Sequence, residues 1–284
     1  MNRLHQSGFY LLLLLLAGMG GPGALAETVA KPGASSVSLI NRGSDSQPVF
    51  DVRNDYPGPV EFEFSADEFV NMKSEPALPI RKVIPANTTL QLCRLSQISP
   101  REPWSYTYTT RYVPGKPGAR HLTGKPYRLP FEEIQQHRVS RARNDAGHRA
   151  PASRYAVDID MPEGTGVYAM RSGVVMEISR ERLDDNPKSV PVPQIRILHQ
   201  DGTMALYARL QKDSIVVREG QRVQRGQLIA ASGPSYREGV KPHLHVALQR
   251  NAGMRLESIP FKLQVYPGSS VTPKPGMLLR HPVY

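Results

Sequence analysis

Two histidines one residue apart, in Pro242-His243-Leu244-His245-Val246, are the strongest chemical signal in the chain. In a β-strand, residues two apart share a face, so both imidazoles point the same way and can serve one metal-centred site. An isolated His-x-His is also an ordinary surface pair, so its meaning depends on partners elsewhere. Upstream, Tyr155-Ala156-Val157-Asp158-Ile159-Asp160-Met161-Pro162-Glu163-Gly164-Thr165 sets a carboxylate on a strand and then turns through Pro and Gly. Asp158 and Asp160 lie on one face, which leaves open which of them would reach the imidazoles. Other chemistries find no support. There is no Gly-x-Ser-x-Gly elbow and no phosphate-cradling Gly-rich loop, and the only cysteine, Cys93, can build neither an internal disulfide nor a thiol-rich zinc site.

The elements that must position these residues read as strands. Val60, Phe62 and Phe64 alternate with Glu61 and Glu63, and Trp104, Tyr106 and Tyr108 alternate with Ser105 and Thr107, the period-two signal of half-buried strands. Pro79, Pro85 and Asn87 punctuate further short runs, including Thr88 to Leu92. This predicts a small β-sandwich over residues 46–113. Pro114-Gly115-Lys116-Pro117-Gly118 marks a connector, 114–126, and Tyr127-Arg128-Leu129-Pro130-Phe131 opens a second unit, 127–265, followed by a tail, 266–284. Strands are expected there at Tyr155 to Ile159, Gly173 to Ser179, Gln194 to His199, Thr203 to Leu210 and Leu244 to Gln249. Asp201-Gly202 is expected as a tight, positive-φ hairpin turn between two of them. No long amphipathic helix is visible, and Glu132 to Arg138 is the one place for a helical turn or two. The fold class is therefore mainly β.

The chain of 284 residues opens with an export signal: Arg3, an apolar run from Phe9 through Leu16, and small residues ending in Ala24-Leu25-Ala26. The run is short for a membrane span. Cleavage after Ala26 is expected, leaving a soluble mature chain that does not span the membrane, with a Ser- and Gly-rich linker over 27–45. The 36 basic and 25 acidic residues become 35 and 25 once Arg3 is removed, a net charge of +10. Such a surface favours carboxylate-bearing wall peptides and anionic polymers or lipids. Nucleic acid is not expected as a partner, since no basic run is dense or interleaved with aromatics.

The ordered series Tyr155 to Thr165, Val167-Tyr168-Ala169, Gly173-Val174-Val175, Tyr207-Ala208-Arg209-Leu210, Gly220-Gln221-Arg222-Val223, Gly226-Gln227-Leu228-Ile229 and Pro242 to His245 resembles the lysostaphin-type zinc endopeptidases over roughly residues 127–250. The resemblance implies an antiparallel β-sheet metallopeptidase domain that cleaves peptide cross-links of peptidoglycan with a zinc-activated water. In that family zinc is held by a histidine, an aspartate a few residues later and the second histidine of His-x-His. Asp158 and His245 match the last two. At the family's commonest spacing for the first histidine this chain has Arg154, but members with a longer approach carry it on a loop, and there His148 matches. His243 matches the family's proton-transfer histidine. At the remaining catalytic histidine, in a Tyr-x-His block, this chain has Arg209. A guanidinium donates hydrogen bonds and stabilises an oxyanion but cannot act as a base.

Two functions follow as expectations. One is a zinc enzyme acting on peptidoglycan stem peptides. The other is a domain of the same fold that binds wall peptides or activates a separate cell-wall hydrolase without cleaving. Either implies a periplasmic or secreted protein. His199 reads as a strand-end residue, His121, His137 and His281 as surface residues, Cys93 as buried, and Tyr236 and Arg237 as an exposed loop or a groove lining.

Overall fold

The computed structural model describes residues 10–14, 36–142, 148, 150–183, 190–236, 238–266 and 269–281. Among them every regular element is a β-strand, and the chain divides into two units near Lys116 and Pro117. Among the described residues no helix is long and apolar enough to cross a membrane.

The N-terminal unit holds β1 (Tyr10–Leu14), β2 (Val37–Asn41), β3 (Val49–Asn54), β4 (Val60–Val70), β5 (Met72–Glu75), β6 (Ile80–Ile84), β7 (Thr88–Gln97) and β8 (Ser105–Pro114). They form two antiparallel four-stranded sheets, ordered β1-β8-β4-β6 and β2-β3-β7-β5. The alternation read from sequence becomes a core in which Phe50, Phe64 and Tyr108 meet with ring centroids 5.1–5.3 Å apart. Glu63 on the other face pairs with Arg81 and Arg111. Buried Asn54 is fully employed: its amide donates to the carbonyls of Gly58, Ile84 and Pro85, and its oxygen accepts from Tyr56 N. Cys93 is buried too, and burial pushes its thiol up to about 11.

Two segments form strands that the sequence reading did not name. Strand β2 falls inside the stretch read as a linker, because Val37, Leu39 and their neighbours pair with β3 along its whole length. Strand β1 lies inside the segment read as an export signal and pairs with Tyr108 to Tyr112 of β8. An apolar run beside an open sheet edge finds its backbone partners there.

The C-terminal unit holds β9 (Gln136–Ala142), β10 (Val157–Asp160), β11 (Gly166–Tyr168), β12 (Gly173–Glu181), β13 (Val192–Leu198), β14 (Met204–Ala208), β15 (Arg222–Val223), β16 (Leu228–Ala231), β17 (His243–Asn251), β18 (Leu256–Ser258), β19 (Leu263–Tyr266), β20 (Ser269–Val271) and β21 (Leu278–Arg280). The main sheet is antiparallel in the order β15-β12-β13-β14-β17-β10-β9-β21, with β18 paired to β17. One of its faces is wholly apolar: Val157, Ile159, Val175, Ile195, Ile197, Ala205, Tyr207, Leu244, Val246 and Leu248 pack there against Tyr127, Leu129 and Phe131. Period two then obliges the intervening residues of the same strands onto the opposite face. His243, His245, Asp158, Gln194 and Arg196 are among them.

Residues 117–126, read as a connector, lie against this unit: Leu122 N donates to Asp201 Oδ2 at 3.0 Å, and Arg171 donates to the carbonyls of Leu122 and Lys125. Part of the expected tail is structured as well, since β21 pairs with β9. The sequence after Glu132 makes only a turn before Gln136 enters β9, so no helix forms there. The Asp201-Gly202 hairpin forms as expected, closing through a three-residue loop. Gly202 alone takes a positive φ, +81°, with its N–H on His199 O and His199 N–H on Thr203 O. That is the pattern of a type I turn closed by a left-handed residue.

Candidate metal centre

Strand β10 meets β17 in a register that sets Asp158 opposite His245 and Asp160 opposite His243. The aspartate and both histidines of the motif therefore stand on one face by strand pairing alone. The third imidazole comes from outside the sheet. After His148 the chain turns twice, with Ser153 N on Ala150 O and Ala156 N on Ser153 O. That turn is pinned to the adjoining strands: Tyr155 N donates to Ser258 Oγ, Ser258 N to Pro151 O, and Gln249 Nε2 to Ala152 O. The anchored turn brings His148 back over Asp158, ten positions further along the chain.

In the resulting trio, Asp158 Oδ1 lies 2.7 Å from His245 Nδ1 and 3.2 Å from His148 Nε2. One ligand-capable atom from each of the three residues lies within 4.8 Å of the others. All three residues are buried, at 2–4% exposure. Burial would raise the Asp158 carboxyl, but hydrogen bonds from His148 and His245, with their charge, hold it well below the usual carboxylate range. Burial pushes His245 down, against the pull of Asp158. The donor set suits a divalent ion. Zinc bound tetrahedrally at about 2.0–2.1 Å needs N and O donors roughly 3.3 Å apart, and two neutral imidazoles with one carboxylate leave it a net +1. The buried nitrogens His148 Nδ1 and His245 Nε2 have no hydrogen-bond partner.

His243 stands beside the trio, with Nε2 3.7 Å from Asp158 Oδ2. Its Nδ1–H donates to the Lys241 carbonyl at 2.8 Å, which fixes the neutral tautomer and leaves Nε2 as a bare lone pair facing the centre. Burial lowers its proton affinity, Asp158 opposes this, and the Arg209 charge adds to the lowering. Arg209 follows Ala208, the residue paired with His245, and adopts a left-handed φ of +65°. Its carbonyl accepts from Gly233 N at 2.8 Å, an approach so close that a Cβ on Gly233 would fall 2.8 Å from that same oxygen.

The remaining histidines and loop residues separate from the centre. Asp160 stays outside the trio, and its carbonyl accepts from His137 Nδ1 at 3.0 Å. Arg154 is exposed. His199 is buried, donates to Ser172 O, and is pushed down to about 4, chiefly by burial. His281, expected on the surface, is buried at 6% exposure: its Nε2 meets Phe131 O at 2.8 Å and its ring sits edge-on to the Phe131 ring. Tyr236 donates its hydroxyl to Leu210 O. Arg237 lies outside the described residues. A large groove of 720 Å³, lined by Lys125, Arg171, Arg225 and Lys262, contains none of the residues of the trio. Sequence reading missed Lys241 as the group that sets the His243 tautomer, and a backbone carbonyl leaves no sequence signal.

A buried His-Asp-His cluster on an antiparallel sheet, with a further histidine beside it, could hold a metal ion. Residues 152–256, within the C-terminal unit, match the family model of peptidase family M23. The matched segment contains Asp158, Arg209, His243 and His245 and begins just after the loop that carries His148. Among solved structures, lysostaphin is similar at 26% identity over 41% of this chain and 45% of its own, with a TM-score of 0.33, so the chain spans less than half of lysostaphin's length. A zinc-containing peptidase from Vibrio cholerae is similar at 14% identity over 78% of this chain and 83% of its own, with a TM-score of 0.34. A putative M23 peptidase from Pseudomonas aeruginosa is similar at 15% identity over 77% and 90%, with a TM-score of 0.31. No curated protein matches the chain.

Proposed function

We propose that this protein is a zinc-dependent endopeptidase that hydrolyses peptide cross-links in peptidoglycan, acting in the periplasm or outside the cell. The observation that carries the reading is the buried Asp158 carboxylate with two imidazole nitrogens converging on one of its oxygens. His148, Asp158 and His245 would hold the ion. Bound zinc supplies Lewis acidity and brings the pKa of a water toward neutrality.

The chain's own groups divide the remaining work. Asp158 stays ionised and so keeps the two imidazoles oriented toward one point. His243 takes a proton at Nε2, the nitrogen left bare by its Lys241 hydrogen bond, and returns it to the leaving amine. Its depressed proton affinity keeps it in the accepting form at neutral pH. Arg209 stays protonated and so serves by binding: it stabilises negative charge on the carbonyl oxygen under attack, or holds a stem-peptide carboxylate. Stem peptides carry such carboxylates, in keeping with the net positive charge of the chain.

The test is clearing of purified sacculi by the mature protein, with and without a chelator, beside His245→Ala. Clearing that needs metal and His245 supports the enzyme. Protein that binds sacculi, holds no zinc and releases no peptide contradicts it.

A further inference from the structure

A metal-bound histidine almost always gives its second ring N–H to an acceptor that fixes the ring. His245 presents Nδ1 to Asp158, and its Nε2 is buried without a partner. Against His245 lies a cavity of 50 Å³ whose wall includes Glu181, Gln194 and Arg196. A polar cavity holds a water once it offers about 10–15 Å³ of probe volume and two to four polar partners.

Strand register relates Gln194 to His245. Gln194 pairs with Ala208, and Ala208 pairs with His245, so these residues form one row across three strands on the same face. Strands lie about 4.8 Å apart, which sets the outer two backbones roughly 10 Å from each other. The side chain between them is a single methyl group.

The Gln194 amide is oriented by its other neighbours. Its Nε2 donates to Ser179 Oγ and to Glu181 Oε2, each at 3.0 Å. Both acceptors belong to β12, on the side of β13 away from β14. A carboxylate accepts, so the amide nitrogen faces β12 and the carbonyl oxygen is not spent on that contact. Other polar groups of the wall are engaged. Gln249 accepts from Arg196 and donates to Ala152 O, and Arg196 pairs with Glu177.

We propose that Gln194 is a positioning residue for His245: its carbonyl oxygen accepts the His245 Nε2–H through a water in this cavity, with Glu181 and Ser179 holding the amide in the required orientation. The chain from the Glu181 carboxylate through Gln194 and water to the imidazole fixes the tautomer that offers Nδ1 to the metal. This inference rests on the metal reading of the trio.

Zinc affinity of the full chain, measured by chelator competition, tests it for four proteins: the unaltered sequence, Gln194→Leu, Ala208→Val, and the exchanged pair Glu181→Gln with Gln194→Glu. Gln194→Leu removes the acceptor and should weaken zinc binding roughly 10- to 100-fold. Ala208→Val puts added bulk in the row between Gln194 and His245 and should weaken it comparably. The exchanged pair keeps both the contact to β12 and an acceptor toward His245, so it should bind close to the unaltered protein. A His245 Nε2 proton resonance, protected in the unaltered zinc form, should disappear in Gln194→Leu. Should Gln194→Leu fail to fold, Ala208→Val and the exchanged pair decide. Unaltered affinity in either single variant, or an exchanged pair as weak as Gln194→Leu, overturns the inference. Absence of zinc binding by the unaltered protein instead removes the metal reading itself, a distinct result.

Discussion

Asn54 in the N-terminal unit and Asp158 in the C-terminal unit are both buried polar residues in β-strands, yet they are satisfied in opposite ways. Every hydrogen-bonding atom of Asn54 meets a backbone partner, so it ties the ends of β3 and β6 and of the segment between β3 and β4, and leaves nothing to react. Asp158 is satisfied only by two imidazoles whose outward nitrogens remain unpaired, an arrangement that folding alone does not favour. Complete satisfaction marks a structural polar group. A buried charged group met only by imidazoles whose other ring nitrogens have no partner marks a site for a further atom.

Substitutions can sharpen that contrast. The largest effect is expected at the trio: His245→Ala should reduce bound zinc from about one per chain to none, read by metal analysis of purified protein, while the N-terminal unit melts unchanged. His243→Ala should keep its zinc and lose about 10²- to 10⁴-fold in peptide release from sacculi, the usual weight of a general base. Asn54→Leu should do the reverse. It strands buried backbone groups at a cost of about 3 kcal/mol, seen in denaturant unfolding, with zinc content intact.

A smaller effect belongs to His199. Its folded pKa of about 4 lies below the ordinary 6.5, so above 6.5 neither state is protonated, and as pH falls the unfolded chain takes up a proton that the folded ring refuses. Stability is lost across that window, by roughly 3 kcal/mol in all. In chelator-treated protein, His199→Asn, which can still donate to the Ser172 carbonyl, should lose less stability between pH 6.5 and 4 than the parent does. Smallest is Arg209→Gly. Removing a side chain from the left-handed φ of +65° should leave stability within about 1 kcal/mol of the parent, while turnover falls because the cation is gone.

Sequence alone revealed the parts of this design that follow from periodicity. His243 and His245 share a face, Asp158 and Asp160 share another strand's face, and the alternation in β4 and β8 builds a sandwich. It left open the choice between Asp158 and Asp160, since both lie on one face and only the register with β17 separates them. The approach of His148 depends on Tyr155, Gln249 and Ser258 pinning a turn, a set of long-range hydrogen bonds that no local pattern encodes. Gln194 was visible as part of a strand, but its relation to His245 passes through two strand pairings and so required the sheet order. His281 was misjudged because its burial comes from the contact between the end of the chain and Phe131, which composition near the terminus does not announce.

The central claim is that His148, Asp158 and His245 hold one divalent ion. Zinc titration of the metal-free full chain, set beside His148→Ala, addresses it most directly because His148 is the ligand that strand pairing does not supply. The account predicts uptake of about one zinc per chain by the parent and its loss in the variant. Equal uptake by both proteins, or none by the parent, would contradict it.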